Sequence, residues 1–312
     1  MTKHSIEISE VGPRDGLQSI DSIMPTADKK AWIKAQAEAG TPEIEVGSFV
    51  PAKLLPQLAD TGEVVEYAKT IPNLNVAVLV PNLYGTKSAI EHGADKITLP
   101  FSMSETHSLK NLRRTHAQVI DEIKNISALI SDAPKEKRPV FEVSMSTAFG
   151  CTLEGHVPED YVYKMASTAV ELGADEIGLS DTTGYGNPAQ VKRMCLKIRS
   201  ELGDDKLTGV HLHNTRGQGL ANVMAALDAG ITTFDSSLGG LGGCPFAPGA
   251  SGNIVTEDLV FLLEAMGLNT GIDMDKLIEV RKLVQHALPN EEMYGFLADA
   301  GVPKDFKTAI EQ

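Results

Sequence analysis

The chain sets two histidines two residues apart at the end of a short apolar run, in VHLHNT at 210–215. Strand side chains alternate between faces, so His211 and His213 would point the same way, as two metal ligands on one strand must. The short apolar lead-in favours strand over helix, although so few residues leave the periodicity ambiguous. Two partly buried histidines bonded to neighbours would show the same spacing, and histidine has many uses besides ligation. Whether the pair holds a metal therefore depends on what stands beside it.

Three other polar clusters carry candidate chemistry. EVGPRDGLQ at 10–18 puts Arg14 and Asp15 after a Gly-Pro turn, and IEVGSF at 44–49 ends a strand-like run with Glu45 at its rim. GGLGGCPFAPGASGN at 239–253 carries Cys244 and Asn253; its Pro245, Phe246 and Pro248 give it the character of a shaped lid. It lacks the GxGxxG spacing of a dinucleotide fingerprint. Each cluster also has a plainer reading: a turn salt bridge for Arg14 and Asp15, a solvated strand end for Glu45, a small buried hydrophobe for Cys244. Taken together, Asp15, His211, His213 and the amide oxygen of Asn253 offer two nitrogens and two oxygens. That mixed set, with room for water or substrate oxygens, suits Mg²⁺ or Mn²⁺, with zinc as the alternative.

The elements that must bring these residues together follow a repeated grammar. EAGTPEIEV (38–46), EHGADKITL (91–99), ELGADEIGL (171–179) and DAGITTFDS (228–236) each join a helical stretch, a glycine and a short β-rich run. Glycine suits the left-handed position that ends a helix, so Gly40, Gly93, Gly173 and Gly230 mark helix-to-strand junctions. Further strand-like runs at 5–10, 75–80, 140–144 and 208–213 bring the strands to eight. Helical patterns follow most of them, for example at 26–39, 61–70, 158–172, 188–202, 217–229 and 256–266. Eight alternating units over about 265 residues predict an α/β fold, a closed (β/α)8 TIM barrel, with an open doubly wound sheet as the alternative. The chemistry of such barrels sits on the loops after the strands, where all these clusters fall. Residues 1–312 read as one catalytic domain, with about 273–312 as a C-terminal helical extension ending in a polar, mobile tail after Pro303.

Composition excludes several classes. A formal net charge of −14 without any Lys/Arg block argues against nucleic acid and anionic membranes, so an anionic substrate needs a local positive feature such as a metal. Cys151, Cys195 and Cys244 are odd in number and far apart, which argues for a reducing compartment and a structural role for the first two. No apolar run approaches the roughly 18 residues of a membrane span or the pattern of a signal peptide, so a cytoplasmic protein is expected.

EVGPRDGLQ, IEVGSFVPAKLLPQLAD (44–60), HLHNTRGQGLAN (211–222) and DSSLGGLGGCPFAPGASGNIVTEDLVFLLEAMG (235–267) together resemble the 3-hydroxy-3-methylglutaryl-CoA lyase family of the DRE-TIM metallolyases. The likeness runs from about Glu7 to Gly271, and the GGLGGCP loop separates these lyases from relatives sharing only the Arg-Asp and HxH parts. The resemblance implies that Asp15, His211 and His213 are metal ligands and Asn253 a further metal-associated residue. It also implies a catalytic set of Arg14, Glu45, His211 and Cys244. The implied reaction is retro-Claisen cleavage of a 3-hydroxyacyl-CoA to acetyl-CoA and a keto acid, with Cys244 matching the family's proton-transfer cysteine. An acyl-CoA substrate and a homo-oligomer, dimer or tetramer, are expected, with no nucleic-acid or membrane partner.

Lesser expectations attach to other rim positions. Asp181 in LSDTTG could orient a metal ligand or bound water. Glu154 lies nearer the mouth with no assigned role. Lys110, Arg113 and Arg114 in SLKNLRR could meet CoA phosphates, or be solvated helix-surface cations. The chain departs from the family pattern at Ser19 and Ile20, at Gly47 where threonine is common, and at Asn214, Thr215 and Arg216. An extra cation at Arg216 and one fewer carboxylate could retune the pocket toward another short dicarboxylic acyl-CoA, with citramalyl-CoA, yielding pyruvate and acetyl-CoA, as the nearest alternative. A metal-dependent hydroxy-oxo-acid aldolase would share Asp15, His211 and His213 without needing Cys244.

Overall fold

Eight parallel strands, each paired with its sequence neighbours and the last with the first, close into a barrel in the computed structural model, which describes residues 6–242 and 252–311. They are β1 (Glu7–Glu10), β2 (Glu43–Ser48), β3 (Asn75–Leu79), β4 (Lys96–Ser102), β5 (Val140–Ser146), β6 (Glu176–Ser180), β7 (Gly209–His211) and β8 (Thr233–Ser236). The closed ring replaces the open-sheet alternative. The expected helices form as α1 (Thr26–Glu38), α2 (Thr61–Ala68), α6 (Glu159–Glu171), α7 (Pro188–Leu202), α8 (Gly219–Leu227) and α9 (Thr256–Ala265). Between β3 and β5 lie α3 (Leu83–His92), α4 (Glu105–Asn111) and α5 (His116–Asp132), started by side-chain caps at Asn82, Ser104 and Thr115. The junction glycines Gly40, Gly93, Gly173 and Gly230 all take positive φ, as a helix stop of that kind requires.

The strands alternate in a way that decides what the barrel contains. In β5, Phe141, Val143 and Met145 are fully buried, whereas Glu142 and Ser144 line a cavity. The same holds around the ring: Ile8, Ile44, Val76, Val78, Ile97, Leu99, Ile177, Leu179, Val210 and Phe234 form the apolar layer beneath the helices. Parallel strands buried on both faces usually read as continuous apolar runs, so this alternation signals a polar interior. Ser9, Glu43, Glu45, Ala77, Thr98, Ser144, His211 and Asp235 line a cavity of about 490 Å³.

Beyond the barrel, Asp273 caps α10 (Met274–Ala287), and its backbone N–H donates to the Ala39 carbonyl at 2.8 Å, docking this helix on α1. The last helix is α11 (Leu297–Ala300). The polar segment after Pro303 touches α9: Phe306 packs on Phe261 with ring centroids 5.2 Å apart, and Ala309 N–H donates to Glu264 at 2.8 Å. No helix of the described residues is long and apolar enough to cross a membrane.

Candidate active site

The chain leaves β1 through a π-type turn, Gly12–Gly16, in which Asp15 and Gly16 N–H both reach back to the Val11 carbonyl, at 2.7 and 3.4 Å. Such turns are rare and recur at functional sites. This one aims Arg14 and Asp15 over the barrel mouth. The Arg14 Nε donates to Glu45 Oε2 at 2.5 Å and one terminal nitrogen donates to Asp15 Oδ1 at 2.6 Å, so the guanidinium is held between carboxylates from β1's exit and β2. A bulge between Glu45 and Gly47 interrupts the β2–β3 register beside it. A Cβ at Gly47 would lie 2.6 Å from Thr61 Oγ1, which instead bonds the Ser48 N–H and carbonyl. Thr61 thus occupies the space a threonine at 47 would take.

His211 and His213 meet Asp15 from the opposite side. The two Nε2 atoms stand 3.0 Å apart, His211 Nε2 lies 3.8 Å from Asp15 Oδ2, and ligand atoms of all three residues fall within 4.8 Å of one another. Asn253 joins them because its segment bridges His213 in antiparallel fashion, with Ile254 N–H donating to the Leu212 carbonyl at 3.1 Å. Its amide nitrogen donates to Asp15 Oδ2 at 2.7 Å, while its Oδ1 is buried without a hydrogen-bond partner. An orphaned buried acceptor, two converging imidazole nitrogens and a carboxylate form a donor set that fits a divalent cation with mixed nitrogen and oxygen ligands.

The charges of the site are strongly coupled. Burial would raise the Asp15 carboxyl, but Arg14 and the two histidines hold it well below the usual range. Burial prevails at Glu45, pushed up to about 7 despite Arg14. At His211 burial is overridden by Asp235 and Asp15, which raise it, whereas burial and the neighbouring His211 push His213 down to about 3. Glu10 ties the two loop roots together by accepting from Gly12 N–H and Leu238 N–H, each at 2.9 Å.

Arg14, Asp15, Glu45, His211 and His213 therefore line one cavity, with Asn253 bonded to Asp15 at its edge. Cys244 lies outside the described residues. Asp181 does not bond a ligand side chain: its Oδ1 accepts the N–H groups of Tyr185 and Gly186, at 2.8 and 3.0 Å. Glu154 caps the start of α4 by accepting from Thr106 N–H at 2.7 Å. Lys110 and Arg113 line the cavity mouth, but Arg114 is engaged by the Pro81 carbonyl and Glu122. The expectation that Arg216 retunes the pocket is corrected, because its guanidinium bonds the Thr183 and Gly184 carbonyls at 3.0 and 2.9 Å and stacks on Tyr185. Those carbonyls and the Tyr185 ring draw it away from the cavity.

Three features escaped the sequence. Asp235 bonds His211 Nδ1 at 3.0 Å, and Gln18 donates to Asp15 Oδ1 at 2.7 Å. Deeper in the barrel, Lys96 Nζ meets Glu142, Glu176 and Glu43 at 2.7, 3.0 and 4.0 Å. The available signal was alternation: Glu43 precedes Glu45 by two, and Asp235 takes an inward position on the strand next to the histidines.

Comparison with known proteins gives concordant matches. A family model described as HMGL-like matches residues 5–284. Hydroxymethylglutaryl-CoA lyase YngG of Bacillus subtilis is 38% identical over 91% of this chain and 93% of its own length. The cytoplasmic 3-hydroxy-3-methylglutaryl-CoA lyase of Rattus norvegicus is 40% identical over 91% of this chain and 81% of its own. An HMG-CoA lyase from Acinetobacter baumannii, solved with coenzyme A and 3-methylmalate, superposes with a TM-score of 0.91 at 40% identity, covering 98% of this chain and 99% of that one.

Proposed function

The chain belongs to the HMGL-like family, and from that premise we propose that it is a divalent-metal-dependent carbon–carbon lyase. It cleaves 3-hydroxy-3-methylglutaryl-CoA to acetyl-CoA and acetoacetate. The observation that carries this reading is the convergence of Asp15, His211 and His213 in a cavity that also presents Arg14 and Glu45. Mg²⁺ or Mn²⁺ held by Asp15, His211, His213 and Asn253 supplies Lewis acidity toward substrate oxygens.

The residues divide the remaining work. The tertiary hydroxyl must lose its proton, and Glu45, pushed up to about 7, is the candidate base in the cavity; the family pattern also names His211, which could serve only through a nitrogen not committed to the metal. As the O–H electrons form the ketone of acetoacetate, the C2–C3 bond breaks and its electrons pass to the thioester as an enolate. Arg14, fixed by Glu45 and Asp15, stabilises the negative charge that develops on the thioester oxygen without having to reorganise. Cys244 then protonates the enolate carbon, a role that rests on the family pattern. Lys110 and Arg113 at the mouth are the cations available to the phosphates of an acyl-CoA.

The barrel and its C-terminal extension work as one catalytic domain, in the cytoplasm and as a homo-oligomer. The rat relative's cytoplasmic form and the buried, free Cys151 and Cys195 support the reducing location. The test supplies Mg²⁺ or Mn²⁺ with 3-hydroxy-3-methylglutaryl-CoA and citramalyl-CoA and measures acetyl-CoA release. Cleavage of the first is expected; cleavage of citramalyl-CoA alone would overturn the substrate assignment.

A further inference from the structure

Asp235 stands where barrel register forces it against His211. β7 and β8 pair with His211 opposite Asp235, and β8 and β1 pair with Asp235 opposite Ser9, so all three occupy one inward-facing level. Side chains opposite one another on neighbouring parallel strands share a face, and the imidazole and carboxylate meet with His211 Nδ1 3.0 Å from Asp235 Oδ2. An ionised carboxylate only accepts hydrogen bonds, so this contact places the Nδ1 proton on the Asp235 side. The other ring nitrogen, Nε2, then faces His213 Nε2 at 3.0 Å and Asp15 Oδ2 at 3.8 Å. His213 has no comparable partner among the described residues: its Nδ1 is buried without a hydrogen bond. The site therefore backs one of its two histidines with a carboxylate and leaves the other without one.

We propose that Asp235 is a positioning residue for the metal centre, fixing the ring plane and tautomer of His211 so that its Nε2 is available to a divalent cation. The proposal rests on reading Asp15, His211 and His213 as metal ligands. A carboxylate behind a ligating histidine raises the basicity of the ligand nitrogen, and losing such a partner typically weakens metal affinity by about 10-fold to 100-fold. Asp235 itself stays outside the ligand set.

The test is direct titration of Mn²⁺ into the protein without substrate, followed by electron paramagnetic resonance of the free ion. Wild type, Asp235→Ala and Asp235→Asn are compared, with thermal unfolding run alongside to establish that each is folded. Asp235→Ala is expected to weaken binding by about 10-fold to 100-fold. Asp235→Asn, whose amide oxygen can still accept from Nδ1–H, should recover part of that loss. A folded Asp235→Ala that binds Mn²⁺ within a factor of about two of wild type would overturn the positioning role. Wild type that binds no Mn²⁺ would instead overturn the metal-ligand reading. A second measurement needs no variant: in the Mg²⁺-loaded wild type, nitrogen-15 NMR of the His211 ring should show the proton on Nδ1. A proton on Nε2 would sink the proposal even if both variants failed to fold.

Discussion

His211 and His213 present their Nε2 atoms to each other at 3.0 Å, a distance at which either a proton or a cation must lie between two lone pairs. Burial opposes charge on His211, but Asp235 and Asp15 override it and raise its pKa. Metal binding must therefore displace a proton from His211. The sign follows: below the raised pKa each unit of falling pH weakens binding by up to about tenfold, and above it the affinity levels off. Mn²⁺ affinities measured between pH 6 and pH 8 should rise with pH, and a flat profile would contradict this picture.

Arg14 is gripped by Glu45 and Asp15 at 2.5 and 2.6 Å, in a forked geometry that an ammonium cannot reproduce. Arg14→Lys and Arg14→Gln should both lower kcat by about 100-fold to 1000-fold, with smaller changes in KM. Steady-state kinetics with the CoA thioester checks this; a loss confined to KM would show that Arg14 binds the ground state rather than the transition state.

Glu10 is fully buried, and burial pushes its carboxyl up to about 8 from 4.5. The folded state thus keeps a proton that the unfolded chain has lost, so this stabilising contribution is complete below about pH 4.5 and disappears as pH rises through 8. Glu10→Gln mimics the protonated acid, its oxygen accepting from Gly12 and Leu238. The variant should match wild type near pH 5 and exceed it near pH 8, by an amount on the order of a few kcal/mol. Urea denaturation at the two pH values measures the difference.

Lys96 is the cation shared by Glu142, Glu176 and Glu43 inside the barrel. Lys96→Met leaves those carboxylates uncompensated and should destabilise the fold by roughly 3–5 kcal/mol, because the remaining charges stay desolvated. Adding Glu142→Gln should return part of that loss, a coupling that a double-mutant cycle reads directly. Strict additivity of the two substitutions would argue that the network is not energetically linked.

Gly47 faces Thr61 Oγ1 at a distance of 2.6 Å from an added Cβ. Gly47→Thr alone should lower the melting temperature, since the clash falls on a side chain already bonded to Ser48 and Leu58. Thr61→Ala in the Gly47→Thr background should restore part of the loss. Equal melting temperatures for wild type and Gly47→Thr would refute the exchange of space between the two positions.

Local chemistry was written plainly in the chain. The junction glycines, the alternation within the strands, and the RD and HxH pairs each depend on residues a few positions apart, whose relative directions are fixed by the backbone of a helix or strand. That was enough for an eight-unit barrel and for Asp15, His211 and His213 at its rim. Contacts across the barrel are another matter. Arg14 and Glu45 are 31 residues apart and meet through the pairing of β1 with β2, whereas Asp15 and Asn253 are 238 apart and meet because the sheet closes. The register between β7 and β8 decided that Asp235 meets His211, and the tilt of one guanidinium onto Tyr185 decided that Arg216 leaves the pocket alone. Registers and rotamers are settled by packing and hydrogen bonding among distant segments, so no local pattern encodes them, and they alone turned a list of reactive residues into an oriented site.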